Sequence, residues 1–281
     1  MMSSRSCWKQ HWDEKNSSTD CDYEVDRGTR PRDKEIESLS NEELLGFIAA
    51  EPSEVVFDAG CGTGANIRLL HRFVRRIIAM DYSDAAVARC HKRLALDRID
   101  NAEIFQGDVT SVPLPDSAVD RILCMSVLQY LDDIELRAAF REFARILKNG
   151  GTLVMHVKNL SSLYLSTLWV VKGLLRMMGR HTKLEHFRTF HWYVSELRRA
   201  GFRISNYRSL NVFMLERMPR KLVLWLQKFE LSHQNQFPFS SGFLRRHGSD
   251  LKIRAQLQKS DLLPRVSPLS ARARATIGSV T

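Results

Sequence analysis

The chain has 281 residues, 44% of them hydrophobic, which is enough to bury one large core or one core with an appendage. Its net charge of +10 is uneven: residues 1–159 contain 21 basic and 26 acidic residues, whereas residues 160–281 contain 21 and 6. The basic half indicates an anionic contact, such as a phosphorylated substrate, a membrane surface or nucleic acid, or else a solvated basic surface. The five cysteines include no CxxC pair, so we expect neither a metal site nor a disulfide framework.

Residues 1–37 are polar, and we interpret them as an N-terminal arm. Trp8 and Trp12 are four residues apart and would share one face of a helix. The arm lacks the apolar run of a signal peptide, and no run approaches the ~18 apolar residues of a spanning helix. We therefore expect a cytoplasmic location. The next helix is predicted to begin at Ser40, with Glu43 completing a capping box.

Residues 54–70 predict a buried strand, a glycine-rich turn and a helix. The strand is the apolar run 55–57, followed by Asp58. Glycine permits positive φ and lets a ligand approach the main chain, and a helix N-terminus offers unpaired N–H groups. This pattern favours a nucleotide site over a tight turn without a ligand. The glycines are Gly60, Gly62 and Gly64, and the apolar side of the helix is Ile67, Leu69, Leu70 and Phe73.

Three further strands are predicted, each followed by polar residues. Residues 75–81 end in Asp81, residues 102–105 precede Gly107-Asp108-Val109, and residues 120–125 lead into Ser126. Parallel strands joined by helices form right-handed crossover units, and ligands bind beyond the carboxyl ends of such strands. Asp132 with Glu135 predicts the capping box of the next helix, and residues 152–157 predict a fifth strand that contains His156.

The motif D-A-G-C-G-T-G at 58–64 resembles the nucleotide site of class I S-adenosylmethionine-dependent methyltransferases, of the small-molecule type 11 kind. The resemblance covers about residues 54–207, because the acid ending the second strand, the G-D-x-x-x-x-P-L-P stretch and the segment after the fourth strand follow in the family's order. It implies an α/β fold: a Rossmann-like, seven-stranded, mostly parallel sheet flanked by helices. It also implies S-adenosyl-L-methionine as cofactor and a flap formed by the N-terminal arm.

The resemblance assigns roles to individual residues. Asp81 would accept both ribose hydroxyls, Asp108 would accept from the adenine amino group with Val109 near the ring, and the segment at Ser126 would lie under the methionine moiety. An ordinary turn aspartate is the alternative for Asp108. The cofactor residues are thus expected to be Asp58, Gly60, Gly62, Gly64, Asp81, Tyr82, Asp108, Val109 and Ser126, with no metal.

The family places a substrate lid between its fifth and sixth strands, and residues 160–181 are apolar there. We therefore expect an α-helical lid at about 160–190; a helix buried against another subunit of a homo-oligomer is the alternative. The last two strands are predicted at 202–210 and 211–215, within a core of residues 38–218. Residues 219–236 predict an amphipathic helix that packs on the domain or lies on a membrane surface. Residues 237–281 predict a mobile tail.

Methyl transfer from a sulfonium depends mainly on positioning, since alignment can supply ~7–11 kcal/mol. A histidine could also act as base, because it takes a proton near neutral pH. His156, near the end of the fifth strand, and His186, in the lid segment, are the candidates, although a single histidine is more often structural.

The expected acceptor is a small apolar or amphipathic molecule, such as a natural product, glycoside or lipid, methylated on O or N. A nucleic-acid methyltransferase is disfavoured, because Ser126-Val-Leu-Gln replaces the N-P-P-[YF] tetrapeptide of base-flipping enzymes. The third alternative is a repurposed cofactor-binding module at a membrane surface.

Overall fold

A computed structural model of the protein describes residues 4–18, 34–178, 185–210, 220–233 and 247–259. Its centre is a seven-stranded sheet in the order β3-β2-β1-β4-β5-β7-β6. Strands β1 to β5 are parallel, and β7 runs antiparallel to both β5 and β6. The strands are β1 (Val55–Ala59), β2 (Arg76–Asp81), β3 (Ala102–Gln106), β4 (Val119–Met125), β5 (Leu147–Lys158), β6 (Phe202–Leu210) and β7 (Asp250–Leu257). The predicted seven-stranded, mostly parallel sheet is confirmed.

Eight helices are found in the described part of the chain. They are α1 (Ser4–Ser18), α2 (Lys34–Ile48), α3 (Ala65–Leu70), α4 (Asp84–Leu96), α5 (Asp133–Ile146), α6 (Leu163–Met177), α7 (Phe190–Arg199) and α8 (Arg220–His233), with a 3₁₀ turn at Leu128–Tyr130. Ser83 caps α4, and Asp132 with Glu135 forms the capping box of α5, the latter as predicted. Because each cap satisfies N–H groups of the first turn, these two helix starts are fixed by local sequence.

Two apolar clusters cover the two faces of the sheet. Neighbouring residues of β1 alternate between them: Phe57 belongs to one cluster and Val56 to the other. The period of two along a strand separates them in this way. Helices α5 and α7 supply the first cluster, for example through Phe140 and Tyr193, and α2, α3 and α4 supply the second. With both faces covered, the carboxyl ends of the parallel strands become the edge available to a ligand.

The last strand is not where the sequence predicted it. Residues 211–215 lie outside the described residues, and Asp250–Leu257 forms β7 between β5 and β6. The prediction of a mobile tail was therefore wrong for this segment, and the core extends beyond residue 218. The physical reason is alternation, since β7 places every second side chain in the core. These buried residues are Leu251, Ile253, Ala255 and Leu257.

Two helix predictions also need correction. Helix α2 begins at Lys34, so Ser40 lies inside it, and Glu43 pairs with Lys252 and Arg208 of the sheet instead of completing a capping box. Helix α3 has only six residues, and Phe73 lies beyond its end with 49% of its surface exposed. In both cases a tertiary contact or an early helix end overrides the local pattern.

Helix α6 follows β5, in the segment predicted to form a lid. Much of its apolar surface is exposed, including Trp169 and Leu174, which are 56% and 54% exposed. Its role as a lid or as a subunit contact stays a prediction. None of the described helices is long and apolar enough to span a membrane.

Candidate functional site

The glycine-rich turn after β1 is held against the end of β2. Gly60, Gly62 and Gly64 all have positive φ, at 86°, 55° and 91°. The N–H groups of Gly60 and Cys61 both donate to the carbonyl oxygen of Met80, at 2.7 and 3.0 Å. Since L-residues adopt such φ values only with strain, the alternating glycines make this path of the chain available.

Asp81, the last residue of β2, faces this turn. Its Oδ2 accepts from the N–H of Gly62 at 2.8 Å, and its Oδ1 accepts from the N–H of Ser83 at 2.9 Å. Burial raises the pKa of Asp81, and the backbone hydrogen bonds offset only part of that effect. A carboxylate has about four lone-pair sites, so these bonds orient the group and leave capacity for ligand hydroxyls.

The other two predicted acids lie at the same edge, because β3, β2 and β1 are adjacent and parallel. Asp58 is buried in β1, where the side-chain amide of Asn66 donates to it at 3.4 Å. Asp108 follows β3, and its Oδ1 accepts from the N–H and the hydroxyl of Thr110, at 2.8 and 2.7 Å. Asp108 thus organises a turn, as the alternative reading of its sequence anticipated, and a ligand role for it stays a prediction.

Gly107, Tyr82 and Val109 are sequence neighbours of these acids. Gly107 donates its N–H to the carbonyl oxygen of Asp81 at 2.9 Å, which joins the ends of β2 and β3. The carbonyl of Tyr82 accepts from the side chain of Gln106 at 3.3 Å. Val109 is buried in the core. Together these contacts fix the relative positions of the two strand ends.

Helix α1 lies across this edge of the sheet. At one side, Asp13 accepts from the hydroxyl of Ser83 at 2.5 Å, and Lys9 contacts Asp84 at 2.6 Å. At the other side, the ring of Trp8 lies 4.5 Å from that of Tyr130, in the 3₁₀ turn after β4. Because β1 lies between β2 and β4, the helix crosses the glycine turn. The role of α1 as a flap stays a prediction.

Ser126 and His156 are brought together at the ends of β4 and β5. The Oγ of Ser126 lies 2.6 Å from Nδ1 of His156, and the N–H of Ser126 donates to the His156 carbonyl at 3.0 Å. On the far side of the ring, Nε2 lies 3.2 Å from Oδ1 of Asp250. Asp250 was missed by sequence reasoning because it lies in the segment interpreted as a tail. The alternation of β7 was the signal that could have revealed it.

His186, the other candidate base, lies beside the 3₁₀ turn. Its N–H donates to the carbonyl of Gln129 at 2.7 Å, and its own carbonyl accepts from Arg188 at 3.1 Å. Burial, with a smaller effect of Glu185, raises the pKa of the nearby Tyr130 to about 12. Tyr130 is therefore a neutral phenol near pH 7. Within the described ranges, no group of three or more His, Cys, Asp or Glu is placed to hold a metal ion.

Comparisons with known proteins bear on the same region. A family model described as a methyltransferase domain matches residues 57–155, from β1 to β5. A Mycobacterium tuberculosis protein named as a probable S-adenosylmethionine-dependent methyltransferase is 37% identical over 105 residues, which are 37% of this chain and 35% of that protein. A malonyl-[acyl-carrier protein] O-methyltransferase of Serratia marcescens is 30% identical over 167 residues, covering 57% of this chain and 63% of that protein.

Among solved structures, the YcgJ protein from Bacillus subtilis is similar, with a TM-score of 0.56 and 16% sequence identity. The match covers 78% of this chain and 98% of that one. At this identity the likeness concerns the fold, which can host many activities. The chain spans 35% and 63% of the length of the two curated relatives, so their names bear on the matched region.

Proposed function

We propose that this chain, which contains a class I S-adenosylmethionine-dependent methyltransferase domain, methylates an oxygen or nitrogen of a small, largely apolar or amphipathic acceptor. Natural products, glycosides and lipid-like molecules are the acceptor classes in view. The observation that carries the proposal is the hydrogen bond from the Gly62 N–H to Asp81, at 2.8 Å. It joins a glycine turn of β1 to the acid that ends β2, which are the two elements that an adenosine-containing cofactor needs.

The residues at this edge fit the cofactor. Asp81 has acceptor capacity for ribose hydroxyls, and Asp108 with Val109 is proposed to receive the adenine. The glycine turn, Asp58 and Ser126 are proposed to hold the methionine end. When bound, S-adenosylmethionine supplies a methyl group on a sulfonium whose sulfur is the leaving group. The chain's own task is to orient the acceptor and to exclude water.

Positioning is the larger part of that task. Alignment can lower the barrier by ~7–11 kcal/mol, whereas a general base raises the rate by ~10²–10⁴-fold, which is roughly 3–5 kcal/mol. Helix α1 supports the first role, because Trp8 and Trp12 pack on Tyr130 above the glycine turn. Of the two candidate bases the geometry favours His156, because its ring contacts Ser126, an exposed residue that an acceptor could reach. His186, beside the 3₁₀ turn, is the second candidate.

Helix α6 supports an apolar acceptor. It follows β5, close to the edge where the parallel strands end, and exposes Trp169, Val170 and Leu174. We propose that these residues cover an apolar acceptor as a lid. The name of the Serratia relative, an O-methyltransferase, supports oxygen as the acceptor atom.

Calorimetric titration with S-adenosylhomocysteine tests the proposal. Asp81→Ala removes the charged acceptor, and hydrogen bonds to charged groups contribute roughly 1.5–3 kcal/mol. We therefore expect the dissociation constant to rise roughly 10- to 150-fold. Asp100→Ala is the matched control, because Asp100 is exposed just before β3, at the opposite edge of the sheet. Absence of binding to the unaltered protein, or equal affinity of the Asp81 variant, would refute the proposal.

A membrane-surface module is the second candidate. It is favoured by exposed apolar side chains on two helices of the basic half, Leu174 on α6 and Trp225 on α8, with Lys221 exposed beside the latter. Co-sedimentation with anionic phospholipid vesicles tests it. Leu174→Ser and Trp225→Ser should each reduce binding, whereas Leu96→Ser, on α4 and 75% exposed, should not. Equal sedimentation of all variants counts against this candidate.

A further inference from the structure

Three side chains from neighbouring strands form a row at the carboxyl edge of the parallel sheet. The Oγ of Ser126, just after β4, lies 2.6 Å from Nδ1 of His156 on β5. The Nε2 of the same ring lies 3.2 Å from Oδ1 of Asp250, the first residue of β7. The side chain of Asp250 is 4% exposed and that of His156 18%, while Ser126 is an exposed residue. The row therefore runs from the interior to the surface.

The inner end of the row is an ionised carboxylate. Burial alone would raise the pKa of Asp250, but the hydrogen bond from His156 and the positive charge of Lys158 outweigh it and hold that pKa well below its ordinary value. Lys158 contacts Oδ1 at 2.7 Å, and the hydroxyl of Ser249 donates to Oδ2 at 2.8 Å. Lys252, opposite His156 in the sheet, is paired with Glu43 of α2. Both carboxylate oxygens of Asp250 are thus held in place.

The charge of Asp250 decides which nitrogen of His156 carries the proton. An ionised carboxylate only accepts hydrogen bonds, so Nε2 must be the donor. In the neutral ring Nδ1 is then an acceptor, and the hydroxyl of Ser126 donates to it. The outward lone pairs of Ser126 Oγ become the exposed proton acceptor of the row. The left-handed backbone of Ser126, with φ of 62°, is the kind of strain found at functional sites.

We propose that Ser126, His156 and Asp250 form a proton relay, and that the acceptor of the proposed methyl transfer is therefore a hydroxyl. This inference rests on the proposed function. The acceptor oxygen forms a bond to the methyl carbon while the carbon–sulfur bond breaks and its electron pair goes to sulfur. The acceptor proton passes to Ser126 Oγ as the serine proton passes to Nδ1 of His156. The resulting imidazolium lies beside the Asp250 carboxylate and later returns its proton to water.

A built-in base is selective for one acceptor class. A carboxylate has already lost its proton near neutral pH, and an aromatic amine attacks through its lone pair and can lose its proton to water afterwards. A phenol or alcohol must release its proton as the bond forms, and a positioned base then contributes ~10²–10⁴-fold. Ser126 and His156 are catalytic in this scheme, and Asp250 is a positioning residue.

The first test uses nitrogen NMR of ¹⁵N-histidine-labelled full-length protein with S-adenosylhomocysteine, with His156→Gln assigning the ring. We expect the neutral ring to carry its proton on Nε2. In Asp250→Asn the new amide can donate to Nε2, so the population should move towards the Nδ1–H tautomer. In Ser126→Ala the Nε2–H tautomer should persist, because Asp250 is unchanged. A ring protonated on Nδ1 in the unaltered protein, or no change in the Asp250 variant, overturns the relay.

The second test compares 2-naphthol, 2-naphthoate and 2-naphthylamine, acceptors that share one ring system, with release of S-adenosylhomocysteine as the readout. We expect 2-naphthol to be preferred, with kcat lowered roughly 10²-fold in Ser126→Ala and Asp250→Asn. For Asp250→Asn, the KM for S-adenosylmethionine should be unchanged. The absence of a 2-naphthol preference overturns the acceptor class. Failure of the proposed function is a different result, namely no binding of S-adenosylhomocysteine, and the tautomer measured without acceptor does not depend on turnover.

Discussion

Gly60 in the turn after β1 and Val127 in the segment after β4 are packed in direct contact. A Cβ added to Gly60 would lie 2.2 Å from Cγ2 of Val127, and Gly60 has a φ of 86°. Glycine is therefore required there for two independent reasons, backbone conformation and space. This contact holds together the two segments proposed to bind the methionine end of the cofactor.

Gly60→Ala is expected to lower the free energy of unfolding by roughly 2–5 kcal/mol, the sum of ~1–2 for the left-handed backbone and ~1–3 for overpacking. Adding Val127→Ala should remove only the overpacking part, and Val127→Ala alone supplies the baseline of a double-mutant cycle. Urea unfolding of the unaltered protein, the two single variants and the double variant measures these free energies. If the double variant is no more stable than Gly60→Ala after correction for the Val127 baseline, the proposed clash is wrong.

Cofactor binding should depend on pH through Asp81. Burial raises the pKa of this carboxyl above its ordinary value of 3.8, so it takes up a proton earlier than an ordinary aspartate as the pH falls. The protonated form is a weaker acceptor of ribose hydroxyls, and we expect affinity for S-adenosylhomocysteine to fall on acidification. Asp81→Asn should bind more weakly without this pH dependence. Calorimetry across the acidic range compares them; parallel pH profiles would contradict the role of Asp81.

Protonation of Asp81 affects folding stability with the opposite sign to its effect on cofactor affinity. Because its pKa is raised in the folded state, the native protein holds the proton more tightly than the unfolded chain. The stabilising contribution of protonation is complete below the unfolded value and is lost as the pH rises through the folded pKa. Acidification should therefore weaken cofactor binding through Asp81 without this residue destabilising the fold.

Most of the sheet could be predicted because its signals are local. The run at 55–57, the three glycines and the capping box of Asp132 with Glu135 each specify an element within a few residues, and β1 to β6 lie close to where the sequence placed them. Strand β7 is different, since its position between β5 and β6 depends on contacts about 100 and 50 residues away. A short amphipathic strand has no local feature that marks it as central.

In the candidate site, too, some contacts could be predicted from local sequence and others depend on long-range strand pairing. Gly62 and Asp81 follow or end two successive parallel strands, so their proximity followed from strand order. The Ser126–His156 contact required the pairing of β4 with β5, and Asp250 joins them only through β7. The sequence therefore suggested His156 as a candidate by type and position but could not supply Asp250, the partner proposed to fix its tautomer.

The aromatic contact between α1 and the 3₁₀ turn should contribute to cofactor retention. Trp8 packs on Tyr130 at 4.5 Å, and such ring pairs contribute about 0.5–1.5 kcal/mol beyond buried area. We expect Trp8→Ala to weaken S-adenosylhomocysteine binding by roughly 2- to 13-fold, mainly through faster dissociation. Gln10→Ala on the same helix is the control, since Gln10 is exposed and bonds to Glu14. Equal dissociation rates in stopped flow would show that α1 does not cover the cofactor.

The largely buried ion pair of Arg121 and Glu54 should be costly to break. Arg121 binds both carboxylate oxygens, at 2.9 and 2.8 Å, and also donates to the carbonyl of Ile48 at 2.7 Å. Arg121→Met leaves the largely buried carboxylate of Glu54 without its opposite charge and with only the N–H of Glu51 as a donor, so we expect a loss of ~3–5 kcal/mol in unfolding free energy. The exposed pair of Arg76 with Glu103 is the control.

Arg76→Met should cost only about 0–1 kcal/mol, because water screens an exposed pair. Replacing both members of the buried pair, in Arg121→Met with Glu54→Met, should recover part of the loss, since no uncompensated charge then remains. Arg121→Lys should give an intermediate loss, because an ammonium cannot reproduce the two-pronged contact. Urea unfolding of the set measures the coupling. If the double variant is as unstable as the sum of its singles, the two side chains act independently and the ion pair does not hold β4 to the start of β1.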